Sequence, residues 1–273
     1  MPVPASKLKN ITIFILLLAN LFLLVLVLPS RTAQKKQTAQ TERQLSSLLD
    51  SAGVTLVPDK LPETEDCYCL SLTMSEELQS AAAESLLGTL RETKAQSFEA
   101  VYRGQNGQGS IGADGIAVFS FTGLPRAGDL LADSSTRFSS AQLSCTKPQL
   151  SADGTSVTAF AAVSGLPVFS APLTMEYEDG VPARFSGLLL CPEKTVRTNS
   201  EECLSAADAL LSFFAGRMET GWVGSRILTI TQGYTAKITR QSAELTPCWR
   251  IETDTGVYLV DGMTAAVTAV TPE

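Results

Sequence analysis

The sequence predicts an α+β protein: a single N-terminal transmembrane helix, then an extracytoplasmic domain of two related units, each a helix packed on an antiparallel sheet. Three observations predict it. Ile11 to Leu28 is an uncharged, predominantly apolar run. Beyond it, two stretches carry apolar residues at helical spacing, and many short strand-like runs are separated by Gly, Pro, Asp and Ser. The implied boundaries are a cytoplasmic tail at 1–10, the membrane helix at 11–29, a juxtamembrane linker and short helix at 30–50, and α+β units at 51–135 and 136–273.

The apolar run is too long for a signal peptide's core, and Pro29-Ser30-Arg31-Thr32-Ala33 is a poor cleavage site. Its 18 residues, counted from Ile11 to Leu28, would rise roughly 27 Å as a helix, just enough to cross a bilayer core. Lys7 and Lys9 precede it, while Arg31, Lys35, Lys36 and Arg43 follow. The positive-inside count therefore does not favour a cytoplasmic N-terminus. The short N-terminal tail and the placement of every cysteine beyond the anchor do favour it. The expected location is the cell membrane, single-pass, with the C-terminal domain outside. Asn20 lies near the centre of the run, where an amide gains from bonding to another helix. It shares a helical face with Ile13, Leu16, Leu17, Leu23, Leu24 and Val27, and these seven residues are the candidate partner-binding face.

After a polar linker, Leu45, Leu48, Leu49 and Ala52 predict a short helix stopped by Gly53, and Val54 to Val57 a strand. A strand around Cys67 to Leu72 leads to an amphipathic helix from about Ser75 to Leu90. Leu78, Ala82, Leu86 and Leu90 form its stripe, and Thr73 and Glu76 offer a capping box. Ser97 to Arg103 and Gly115 to Phe121 read as strands joined by the loop Gly104 to Gly109. That loop joins two strands rather than a strand and a helix, so it is a hairpin loop and not a phosphate cradle. From Thr136 to Leu190 short strands meander, broken at Ser151-Ala152-Asp153-Gly154, Ser164-Gly165-Leu166-Pro167 and Glu178-Asp179-Gly180. A second helix is predicted over Glu201 to Gly216, with Cys203, Leu204, Ala207, Leu210, Leu211 and Phe214 on one face. Strands follow at Arg226 to Ile230, Tyr234 to Thr239, Cys248 to Thr253, Val257 to Val260 and Ala265 to Val270. Ser75 to Ala82 and Ser200 to Ala207 match at six of eight positions, which suggests two related units.

Composition excludes whole classes of chemistry. The chain has 273 residues and no histidine, so Ser-His-Asp and Cys-His arrangements are absent, as is the commonest metal ligand. A formal net charge of −7 argues against nucleic acid as a partner. Ser144-Cys145-Thr146-Lys147 fits Ser-x-x-Lys, but Pro148 disfavours the helix on which that motif works. Glu76 with Glu77, Glu176 with Glu178, and Glu201 with Glu202 read as solvated surface rather than acid–base pairs. No catalytic residue, metal ligand, cofactor or small-molecule substrate is indicated. Six cysteines, Cys67, Cys69, Cys145, Cys191, Cys203 and Cys248, are candidate disulfide cysteines, with free buried thiols the equal alternative. Their connectivity is open.

Lys7 to Ile15 running into Leu18 to Leu23, a polar stem, and then Leu48 to Leu56 resemble the start of YycI. The end, Cys248-Trp249-Arg250-Ile251-Glu252-Thr253 and Gly256 to Asp261, is similar to strands of PepSY-like units. YycI is a membrane-anchored protein that, with YycH, accompanies a cell-wall sensor histidine kinase in Firmicutes. The resemblance implies a non-enzymatic regulator that contacts the kinase's membrane helices and a YycH-like partner. A tethered PepSY-like envelope binding module or peptidase inhibitor is the alternative, and an unfamiliar envelope hydrolase a third.

Overall fold

The computed structural model describes residues 51–95 and 98–270, with residues 16, 45 and 47–49. They fall into two units, one ending at Thr55 and the other beginning at Leu56, and each is described by itself. In the first, helical residues run to Ala52, Gly53 turns to φ +67°, and the Val54 amide donates to the Leu49 carbonyl at 2.9 Å. This is the left-handed stop that the sequence predicts, closing an otherwise orphaned helix carbonyl. A two-residue strand, β1 (Thr55–Leu56), follows.

The second unit is α+β, dominated by a large mixed sheet with few helices. In chain order it contains β2 (Leu70–Met74), α1 (Glu76–Leu87), β3 (Glu92–Ala95), β4 (Glu99–Arg103), β5 (Gly107–Gly112), β6 (Ile116–Phe121) and α2 (Leu130–Ser140). Then come β7 (Gln149–Leu150), β8 (Ser156–Val163), β9 (Leu166–Glu178), β10 (Val181–Leu188) and β11 (Pro192–Arg197). The chain ends with α3 (Ala206–Ala215), α4 (Arg217–Thr220), β12 (Arg226–Ile238), β13 (Ser242–Thr253), β14 (Val257–Asp261) and β15 (Val267–Val270). Hydrogen-bonded neighbours run β11-β2-β13-β12-β9-β10-β6-β5-β4-β3, with β14 and β15 extending from β13 and β8 and β7 from β9.

The pairing does not divide at residue 135. β2 lies between β11 and β13, while β3 to β6 continue through β10 into β9. Moreover, α2 spans the 135/136 boundary, and the helix predicted from Glu201 starts instead at Ala206, capped by Ser205. The matched octapeptides are thus out of phase as helix starts: Ser75 caps α1, whereas Ser200 lies five residues ahead of the second cap.

Turn chemistry places the long hairpins. Ser164 and Gly165 (φ +53° and +86°) join β8 to β9, and Asp179 and Gly180 (φ +50° and +77°) join β9 to β10. Two central residues with positive φ match the twist of the strands they connect. At the β7–β8 turn, Asp153 accepts from the Ser151 hydroxyl at 2.6 Å and from the Thr155 amide and hydroxyl at 3.1 and 2.7 Å. These donors favour the carboxylate and hold its pKa down, from 3.8 to about 2. Because the folded value is depressed, the stabilisation is present above the unfolded pKa and fades as pH falls toward about 2. Ser151→Ala is expected to move the Asp153 midpoint back toward 3.8. An NMR carboxyl titration reads this directly; an unmoved midpoint would refute the hydroxyl's role.

Two predicted features shift by a definite cause. The glycine-rich stretch 107–112 is itself a strand paired with β6, and glycine is required at 109 because a β-carbon there would collide with the Val118 carbonyl of that neighbour. The remaining loop caps α1: the Asn106 amide donates to the Leu87 carbonyl at 2.8 Å. The buried face of α1 is Gln79, Ala82, Ala83, Leu86 and Leu87, one position round from the predicted stripe. Gln79 occupies a core position because its amide donates to the Arg240 carbonyl at 3.0 Å. Leu78 is consequently left 41 % exposed.

The core beneath β4, β6 and β10 is aromatic. Phe119 stacks on Phe185 at 5.8 Å, and Phe138 of α2 meets Phe185 edge-on at 6.1 Å. Under β14, Phe213 of α3 packs between Trp222 at 4.8 Å and Tyr258 at 5.0 Å.

Candidate functional site

A cavity of about 420 Å³ opens between α1, the end of α2, the β8–β9 turn and the start of β11. Leu78, Val163 and Leu190 supply alkyl surface; Ser140, Ser144, Ser164, Thr195 and the Gln142 amide supply neutral hydrogen-bonding groups. Among the described residues that line it, none carries a charge. Cys191 forms part of the wall, and burial pushes its thiol up to about 11, so it presents a neutral S–H at physiological pH. Such a lining suits a neutral or peptide-like group held by alkyl contact and a few hydrogen bonds.

The second locus is a cysteine node around Gln232. Gln232, on β12, is only 5 % exposed. Its amide accepts from the Glu65 backbone N–H at 2.8 Å and donates to the Glu65 carbonyl at 3.0 Å. The same Nε2 donates to Cys67 Sγ at 3.1 Å and lies 3.9 Å from Cys203 Sγ. Both thiols thus face the same amide nitrogen. The neighbouring Cys203 thiol lowers the pKa of Cys67, helped by Gln232 and opposed by burial, while Cys67 and burial raise that of Cys203. Cys69 and Cys248 stand close enough for Cys67 to act on their charge. Burial raises the Cys69 thiol, with Asp261 adding to the effect, and burial pushes Cys248 up to about 12. Tyr234, next on the same face of β12, is raised to about 12, chiefly by burial.

The surrounding segments are fixed independently. Cys69 N–H donates to Asn199 Oδ1 at 2.9 Å, and the Thr198 amide returns a bond to the Cys69 carbonyl at 2.9 Å. The Arg197 guanidinium lies 3.1 Å over the Tyr68 ring. Leu204 is held twice, its amide donating to the Gly262 carbonyl at 2.9 Å and its carbonyl accepting from Trp249 Nε1 at 2.8 Å. All six cysteines are free thiols. Among the described residues, no three His, Cys, Asp or Glu side chains are grouped to hold a metal ion.

No protein-family model and no curated protein matches the chain. Among solved structures, it is similar to the 1.45 Å crystal structure of an uncharacterized protein from Eubacterium rectale ATCC 33656. The two are 11% identical over 77% of this chain and 87% of that one, with a TM-score of 0.44.

The structure brings four of the predicted cysteines together and separates the other two. Cys191 lines the cavity, and Cys145 pairs in a bridge with Ala161. Of the predicted membrane face, Leu16 is helical and 59 % exposed; Ile13, Leu17, Asn20, Leu23, Leu24 and Val27, with the tail and the rest of the 11–29 segment, lie outside the described residues. No helix among the described residues is long and apolar enough to cross a membrane. The Ser-x-x-Lys segment is extended: the Thr146 amide donates to the Phe160 carbonyl and the Ala162 amide to the Ser144 carbonyl, both at 2.8 Å. Glu76 and Glu77 begin α1, but Glu201 and Glu202 precede α3 rather than opening it. Sequence reading missed Gln232. Its signal was parity: it shares the alternation of Ile230 and Tyr234, both buried.

Proposed function

We propose that the chain is a non-enzymatic, membrane-anchored regulator of a cell-envelope sensor histidine kinase, of the YycI type, with Ile11 to Leu28 as its single anchor and the folded domain outside the membrane. The observation that carries a binding role over a turnover role is the cavity's lining. Among the described residues it offers hydroxyls, an amide, alkyl groups and a Cys191 thiol kept neutral by burial, a set suited to holding a ligand by contact and hydrogen bonds. A regulator of this kind biases the kinase by contacting one of its states more strongly than the other. The Asn20 face, with Ile13, Leu16, Leu17, Leu23, Leu24 and Val27, is the proposed contact with the kinase's membrane helices. The folded domain is the proposed contact with a YycH-like partner.

Co-purification of the full chain with the kinase and the YycH-like protein tests this. Asn20→Leu is expected to weaken the complex about three- to tenfold, the worth of one interhelical hydrogen bond in a membrane. Replacement of the whole anchor by an unrelated apolar helix is expected to remove kinase association. Full retention of the complex after that replacement would overturn helix docking. The cavity also supports a second reading, a tethered envelope binding module. In that case a fragment from Ser51 onward would bind its target as tightly as the full chain does.

A further inference from the structure

We propose that Cys67 and Cys203 form a disulfide that latches the extended segment ahead of β2 onto the loop ahead of α3. The pairing rests on geometry. One amide nitrogen, Gln232 Nε2, meets both sulfurs, Cys67 at 3.1 Å and Cys203 at 3.9 Å, so the two thiols face the same point. Cys69 and Cys248 make no such contact with Gln232. Both segments are pre-positioned: Glu65 is gripped by Gln232 on its N–H and carbonyl, Cys69 is tied to Thr198 and Asn199, and Leu204 is tied to Gly262 and Trp249. Closing the bond draws together two sulfurs that already share one amide partner.

The order of events follows from exposure. Cys67 is 2 % exposed, whereas Cys203 is half-buried, so a small disulfide oxidant such as oxidised glutathione reaches Cys203 first, and the raised pKa of that thiol makes this first exchange the slow step. Cys203 sulfur bonds to one glutathione sulfur as the oxidant's S–S bond breaks, releasing one glutathione thiol. Cys67 sulfur then attacks Cys203, and the second glutathione leaves as a thiol. Two protons and two electrons pass from the cysteines to the oxidant, which ends as two reduced glutathiones. The bond closes a long chain loop, which is the situation in which a cross-link restricts the unfolded chain most. It makes permanent the clamp that Gln232 applies reversibly. This inference does not depend on the kinase reading.

The test is disulfide mapping of the full chain. The purified protein is treated with oxidised glutathione, free thiols are capped with N-ethylmaleimide, and the unreduced digest is analysed by mass spectrometry. The expected product joins the peptide carrying Cys67 and Cys69 to the peptide carrying Cys203. Cys69→Ser should keep this link and Cys67→Ser should lose it. Reduction should lower Tm by roughly 5–15 °C in the parent and in Cys69→Ser, and leave Cys203→Ser unmoved. Recovery of Cys67 and Cys203 as maleimide adducts, a stable glutathione adduct on Cys203, or a link from Cys203 to Cys69 or Cys248 would each overturn the proposal.

Discussion

Trp249→Ala is expected to lower the unfolding free energy by about 4–6 kcal/mol, from the loss of a buried indole plus an orphaned carbonyl. Trp249 has no exposed surface and sits on β13 between Gln232 of β12 and Val260 of β14. Truncation opens a cavity at the centre of three strands, which neighbours close only in part. The indole N–H also satisfies the Leu204 carbonyl in the loop leading into α3. Without it, the segment that carries Cys203 loses one of its two fastenings. Trp249→Phe separates the contributions: most packing stays, the carbonyl is left unpaired, and about 1–3 kcal/mol should be lost. Urea unfolding of both variants reads the difference. A loss below about 1 kcal/mol for Trp249→Ala would mean that the loop and the sheet are not held together here, against the typical cost of such truncations.

Local features were legible in the sequence where one residue's chemistry decides them. Gly53 ends its helix, Ser164-Gly165 and Asp179-Gly180 turn their hairpins, and the alternating apolar residues of the closing strands face the core. Helix α2 was not legible: its Ser and Thr mask a helical stripe, and from Thr136 the sequence reads as the first of the short strands, where the chain is helical to Ser140. In the fold those hydroxyls bond back along the helix, Ser134 to the Leu130 carbonyl, Thr136 to Ala132 and Ser140 to Thr136. The helix is kept by the Asp129 cap, the Arg137–Asp133 pair at 2.7 Å and the burial of Phe138. Ser134 Oγ also lies 2.8 Å from the Tyr177 hydroxyl, which donates to Asp133 at 2.9 Å. Of the cysteine node, the sequence offered only the residue types. Convergence of 67 with 203 requires β2 to pair with β13 and β11, a long-range register that no local pattern encodes. The same holds for Gln79 and Gln232, which look solvent-facing until their amides are seen to satisfy buried backbone groups.

Gly233→Val is expected to cost about 3 kcal/mol or more, through overpacking against backbone that cannot yield. Strand β12 runs unbroken through Gly233, where the sequence suggested an interruption, and there it meets β9. A β-carbon at 233 would stand 2.5 Å from the Pro167 carbonyl oxygen and 2.7 Å from the Phe169 ring. The adjoining pair, Tyr234 with Val168, is the parallel contact through which β12 joins β9. Phe169 cannot simply swing aside: its ring packs edge-on against Phe160 at 5.6 Å, and the Arg250 guanidinium lies 5.8 Å from both rings. The added methyl groups must therefore push β9 away from β12 or twist β12 itself. Gly128→Ala is the control, since a β-carbon there meets nothing within 4 Å, and its effect should stay within about 0.5 kcal/mol. If Gly233→Val keeps the parent's urea midpoint, the strands are not fastened at this point and the β9–β12 contact is incidental to stability. If it unfolds early while Gly128→Ala does not, the glycine is there to let two strands approach, and the cysteine node one residue away on β12 depends on that approach for its register.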